Sequence, residues 1–123
     1  MTDTLQALFD STADLYARFG LDSTTTPPDK RRKFFAEEAD ELKEASIISQ
    51  LASMEGYFEN TEDIANEAAD NFVTIIGLLQ AHGITLEELD AAIERVIVKN
   101  DRKTAENGYA VINGKIRKQE AQS

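Results

Sequence analysis

Between residues 28 and 53 the chain has helical periodicity and no glycine, yet two glutamates fall inside its apolar stripe. A helix turns by about 100° per residue. With Phe35 as origin, Leu42, Ala45, Phe34 and Ala39 lie within about 100° on either side and define the apolar face. Glu38 falls between Leu42 and Ala45, and Glu41 falls near Phe34 and Ile48, while Glu37 and Glu44 take the edges. Burying an ionised carboxylate without a partner costs on the order of several kcal/mol, a large share of a small domain's stability. Two such groups one turn apart need cations, and too few Lys and Arg stand at matching positions to supply them.

Three more helices can be read. The first covers residues 3–19, where Leu5, Leu8, Phe9, Thr12, Tyr16 and Phe19 recur at helical spacing and Gly20 stops it. Residues 22–28 form a turn-like stretch whose two prolines suit a helix start. After a loop at 55–60, Asn60 or Thr61 caps a third helix that carries Glu62 and Asp63 in its first turn and ends at His82-Gly83. Thr85-Leu86-Glu87-Glu88 is a capping box that opens the fourth, with Leu89, Ile93, Val96 and Ile97 as its stripe. The expectation is an all-α domain over 1–104. Residues 105–123 read as a tail, either a small hairpin turning at Asn113-Gly114 or a disordered segment.

The formal net charge of −10 argues against nucleic acid as a partner, since phosphate backbones are bound through excess Lys and Arg. It also repels a polyanionic small ligand unless bound cations intervene. The absence of cysteine excludes disulfides and thiolate metal sites. No basic-then-apolar leader and no apolar run of membrane-spanning length occurs. A cytoplasmic, soluble protein that binds no membrane is the expectation.

The third helix adds Glu67 and Asp70. Its apolar arc includes Ala68, Phe72, Val73, Ile76 and Leu79; Glu67 lies at the margin near Ile64 and Leu78, and Asp70 lies on the polar side with Asp63 and Thr74. Read alone, these are ordinary surface acids, and they gain meaning only opposite Glu38 and Glu41. Oxygen-only donors select hard ions such as Mg²⁺ or Mn²⁺. Of the two basic runs, Lys30-Arg31-Arg32-Lys33 reads as a solvated face, while Lys99, Arg102 and Lys103 follow the fourth helix's stripe. The lone His82 reads as a neighbour of a helix end, and without a Glu-x-x-His pair a di-iron carboxylate bundle is disfavoured.

The EExxE of Glu37, Glu38 and Glu41 on one helix, followed by the ExxD of Glu67 and Asp70 on the next, resembles the all-α nucleoside triphosphate pyrophosphohydrolases. These include MazG, the dimeric dUTPase-like enzymes and phosphoribosyl-ATP pyrophosphohydrolase. Residues 35–42 resemble the family's first motif, and residues 67–72, continuing to 79–84, resemble its second; the likeness spans about residues 5–103. It implies a four-helix MazG-like bundle assembled as a homodimer or dimer of dimers. It implies Mg²⁺ on Glu38, Glu41, Glu67 and Asp70, with Glu37 holding a further ion or activating the attacking water. The implied reaction cleaves between the α and β phosphates, to give the monophosphate and pyrophosphate, in house-cleaning or control of deoxynucleotide pools. Val98-Lys99-Asn100 resembles a segment that reaches substrate phosphates in the dUTPase-like branch, and Arg102 and Lys103 extend it. The Ser-Tyr-Thr-like segment of the phosphoribosyl-ATP branch does not stand ahead of the first motif, which argues against a role in histidine biosynthesis. A non-catalytic acidic helical interaction protein is the alternative outside enzymes.

Overall fold

A computed structural model describes residues 3–21 and 27–120. The expected turn at 22–26 lies outside the described residues. Four helices, α1 (Asp3–Arg18), α2 (Pro28–Met54), α3 (Thr61–Ala81) and α4 (Leu86–Asp101), precede two short strands, β1 (Tyr109–Ile112) and β2 (Lys115–Lys118). The fold is all-α, with the helix inventory expected of a four-helix bundle. Two compact units divide the chain, Met1–Leu86 and Glu87–Ser123. Among the described residues no single helix is long and apolar enough to cross a membrane.

In the first unit α3 packs against both α2 and α1. The helix starts follow local chemistry. Pro27 holds an extended N-cap conformation before Pro28, and the Asn60 side chain accepts from the Asp63 amide at 3.0 Å. Ser49, buried in α2, accepts from the Asn60 amide at 3.0 Å and ties the α2–α3 loop down. Gln80 Nε2 donates to the Phe9 carbonyl at 3.0 Å and ties α1 to the end of α3.

The inward line of α2 runs from buried Arg31 through half-buried Phe34, Glu38, Leu42 and Ala45 to buried Ser49. This is the face placed by helical periodicity, with one correction: Ile48 points outward and is 59% exposed, so the flank expected to shelter Glu41 is open. A second correction falls on α3. Phe72, expected in the apolar arc, is 56% exposed, while Thr74, expected on the polar side, is buried. The hydroxyl of Thr74 donates to the Asn71 carbonyl of its own helix at 2.7 Å, which satisfies it without water. A third correction concerns the basic run: Lys30, Arg32 and Lys33 are solvated, but Arg31 is only 2% exposed.

Arg31 fits because residue 77 is glycine. Its guanidinium lies over the Tyr16 ring, 3.8 Å from the centroid, and Nη2 donates to the Leu21 carbonyl. A Cβ at Gly77 would stand 2.5 Å from Tyr16 Cε2 and 2.7 Å from Arg31 Nη1. Intrinsic helix propensity favours alanine over glycine by about 1 kcal/mol. Here the sign reverses: Gly77→Ala is expected to lower stability by about 1–3 kcal/mol through overpacking. Chemical denaturation checks this, and a stability gain would contradict the packing described.

In the second unit β1 and β2 pair antiparallel, Tyr109 opposite Lys118 and Ile112 opposite Lys115. Asn113 and Gly114 take φ of 53° and 79°, the left-handed pair that a two-residue hairpin turn requires. Of the two readings left open for the tail, the hairpin forms.

Candidate active site

Carboxylates from α2 and α3 converge in the first unit. One ligand oxygen each from Glu38, Glu67 and Asp70 lies within 4.8 Å of the others. Glu38 and Glu67 are half-buried and Asp70 is exposed. Glu41 is exposed as a residue, yet its carboxyl lies close enough to Glu38 and Glu67 to push both carboxyls up. Three of the four acids of the expected ligand set, Glu38, Glu67 and Asp70, are brought together, and Glu41 stands near enough to Glu38 and Glu67 to repel both. Glu37 turns to the outer edge, where it lines a cavity of about 480 Å³ together with Glu38 and Asp70. The remaining walls of that cavity are Leu15, Tyr16, Leu21, Phe34, Val73 and Thr74.

The electrostatics follow from this crowding. Burial pushes the Glu38 carboxyl above the ordinary glutamate range, and the neighbouring Glu41, Asp70 and Glu67 push the same way. Burial also raises Glu67, followed by repulsion from Glu41, Asp70 and Asp63. Burial raises the Tyr16 hydroxyl too; Arg31 beside it pulls down and Glu38 pushes up. One oxygen of Glu38 and one of Glu67 are fully buried and lack a hydrogen-bond partner among the described residues.

A divalent cation fits these donors. All are hard carboxylate oxygens, and two are orphaned in the interior, where an unmet charge is costly. Three such oxygens within 4.8 Å of one another could close on one small ion by side-chain adjustment alone.

A stability test follows. Glu38 and Glu67 take up protons at higher pH in the folded than in the unfolded chain. Their contribution to stability is present below the unfolded pKa of about 4.3 and is lost as pH rises through the raised native values. Metal-free protein is thus expected to melt higher for Glu38→Gln than for wild type at neutral pH, by on the order of a few degrees. The difference should close toward pH 4. Identical pH profiles for the two proteins would contradict the raised values. Mg²⁺ at 100 times its Kd should raise the wild-type Tm by roughly 10 °C.

A family model described as phosphoribosyl-ATP pyrophosphohydrolase matches residues 4–96. The chain belongs to the phosphoribosyl-ATP pyrophosphohydrolase family. This places it among the all-α MazG-like nucleoside triphosphate pyrophosphohydrolases, as its acidic motifs led one to expect. The family's members are hydrolases of phosphoric anhydrides in nucleotide substrates and are in general metal-dependent. No curated protein and no solved structure matches the chain significantly. The family match contains α1, α2, α3 and most of α4, and so contains all five acids.

The other expected site residues lie in the second unit. α4 runs to Asp101, so Lys99 and Asn100 are helical, where the fading pattern placed the helix end. Lys99 and Arg102 line a hollow of about 740 Å³ with Arg95, Val98 and Tyr109. Asn100 is exposed, and Lys103 is half-buried with its amide donating to the Asn100 carbonyl at 3.0 Å. Two features escaped sequence reading. Arg95 stands one turn before Lys99 and was legible by spacing alone; the Tyr16 wall comes from α1, which carries no acidic motif to draw attention to it.

Proposed function

We propose that this protein is a Mg²⁺-dependent nucleoside triphosphate pyrophosphohydrolase. Water attacks the α-phosphorus, the bond to the bridging oxygen breaks, and the products are the nucleoside monophosphate and pyrophosphate. The observation that carries the reading is the cluster of Glu38, Glu67 and Asp70, with Glu41 beside it and two buried carboxylate oxygens that lack partners among the described residues, at the wall of a ligand-sized cavity. Mn²⁺ suits the same donors.

Bound there, the ion supplies charge neutralisation for the triphosphate and Lewis acidity at phosphorus. Glu38, Glu41, Glu67 and Asp70 are the groups that hold it. Glu37, on the same cavity but on the outer edge of α2, orients the attacking water and accepts its proton. Tyr16, Leu21 and Phe34 line the same cavity and give it apolar surface. Lys99, Asn100, Arg102 and Lys103 are proposed to engage the substrate phosphates. Lys99→Ala should then raise KM severalfold with the Tm unchanged; a normal KM beside a lowered Tm would assign Lys99 to helix stability instead.

Phosphoribosyl-ATP is the second substrate reading, favoured by the description of the matching family model. The deciding experiment incubates the protein and Mg²⁺ or Mn²⁺ with a panel of ribo- and deoxynucleoside triphosphates and phosphoribosyl-ATP, with products identified by phosphorus NMR. Pyrophosphate with a monophosphate supports the proposal, whereas orthophosphate release or no turnover of any member rejects it. The proposal extends to a cytoplasmic enzyme that self-associates, for which the large apolar residues exposed on the first unit (Ile47, Ile48, Leu51 and Phe72 among them) offer surface. Fractionation and sedimentation velocity test these two points; a membrane-bound pool, or monomer alone at micromolar concentration, would contradict them.

A further inference from the structure

Three cations of the second unit share one side of a helix. Arg95, Lys99 and Arg102 follow one another at spacings of four and three residues along α4 and just past its end, which stacks them on one face over roughly 10 Å. All three line the hollow of about 740 Å³, with Ala91, Glu94 and Val98 from α4 and Tyr109 from β1. That volume lies inside the range of about 300–1,000 Å³ typical of small-molecule sites. We propose that this hollow is a metal-independent site for a phosphorylated small molecule with an apolar or aromatic body, in which Arg95 joins Lys99 and Arg102 on the phosphate and Tyr109 faces the body. This deepens the assignment of Lys99 and Arg102 to phosphate binding above and rests on that reading for phosphate as the anion.

Ordinary helix chemistry does not account for the three cations. Within α4 no acid stands three or four residues from any of them; at those spacings they meet one another, and like charges so placed weaken a helix. No ion pair joins them to the described residues. The helix dipole explains Lys99 and Arg102, but its effect fades beyond the last turn, and Arg95 stands six residues before Asp101. The chain after α4 is built to return to this face. Asn107 Nδ2 donates to the Arg102 carbonyl at 2.7 Å, and the Tyr109 amide donates to the Thr104 carbonyl at 3.0 Å, so the backbone folds back as it enters β1. Tyr109 is half-buried there, and with Ala91 and Val98 it sets apolar surface beside the cations. The net charge of −10 does not forbid an anion. Screening confines exposed charges to about 8 Å at physiological ionic strength, so the local balance decides. Seven of the 13 Lys and Arg fall in residues 95–118, against two acids, Asp101 and Glu106. Lys99, Arg102 and Tyr109 also lie beyond the residues matched by the family model, so the site rests on this chain's own sequence.

The test titrates the full, metal-free chain with inorganic pyrophosphate, inorganic phosphate and phenyl phosphate and follows the backbone amides by NMR. Saturable shifts should centre on the second half of α4 and on Tyr109, with phenyl phosphate bound more tightly than inorganic phosphate. Arg95→Gln removes one charge-assisted contact and should weaken pyrophosphate binding at least about fivefold. Lys115→Gln removes the same charge from β2, away from the hollow, and should change it by less than about twofold. Tyr109→Ser should abolish the advantage of phenyl phosphate and spare pyrophosphate; if it unfolds the hairpin, Arg95→Gln still decides. No saturable binding, equal losses in Arg95→Gln and Lys115→Gln, or an advantage of phenyl phosphate that survives in folded Tyr109→Ser overturns the proposal. The phosphate has two sources, the substrate's own tail or a separate effector. With pyrophosphate binding weakened, a raised KM in Arg95→Gln supports the site as a grip on the substrate, and an unchanged KM supports it as an effector site. The titrations need no turnover, so a failed nucleotide panel and a failed anion site are told apart.

Discussion

Glu38→Gln and Glu67→Gln are each expected to weaken Mg²⁺ or Mn²⁺ binding by at least about 100-fold and to lower kcat/KM with it. The substitution keeps size and hydrogen-bonding capacity but removes the charge that the cluster concentrates. Replacement of groups that merely support a metal ligand already costs about 10–100-fold in affinity or activity, and a ligand should cost no less. Both residues place an orphan oxygen in the interior, so neither role can pass to solvent. Calorimetric titration of each variant measures the effect directly. Binding unchanged in both would remove the metal from this site, and with it the chemistry proposed.

Glu37→Gln is expected to separate binding from turnover. Glu37 is exposed and faces the same cavity as Glu38 and Asp70, adjacent to the cluster in sequence but a hundred degrees around the helix from Glu38. A residue that takes a proton from the attacking water acts in the transition state more than in the ground state. Its loss should cut kcat by about 10²–10⁴-fold and move KM far less. Steady-state kinetics with the best nucleotide of the panel reads both parameters. A near-normal kcat would take Glu37 out of the reaction; an equal loss of metal affinity would move it among the ligands.

The acidic site was legible in the sequence where burial contradicts charge. Glu38 sits between Leu42 and Ala45 on the wheel, and a carboxylate there demands a reason; the structure places it half-buried with one orphan oxygen. Asp70 was not legible in the same way. Its place on the wheel beside Asp63 and Thr74 reads as the polar side, but a hydroxyl satisfied by its own helix, as in Thr74, is free to be buried. Phe72 failed in the opposite sense, because an apolar arc wider than the contacting helices leaves part of itself outside. Arg31 was hidden in a run of four cations, and only the ring of Tyr16 and the missing side chain at Gly77, both distant in sequence, make room for it. The hairpin could be written as an alternative because Asn-Gly is a local signal; the cavity could not, since it needs three helices at once.

The source of the cavity's walls sets how this protein can change. Leu15 and Tyr16 come from α1, whereas the converging acids come from α2 and α3. Part of the lining is thus carried by a helix that holds none of the converging acids, while Phe34, Val73 and Thr74 share helices with them. A randomised library confined to Leu15 can reshape the lining without touching a helix that carries a candidate ligand. The same search at Tyr16 is confined by its cationic backing: only flat rings keep the contact with Arg31, so substitution there should yield Phe, Trp and His far more often than aliphatic residues.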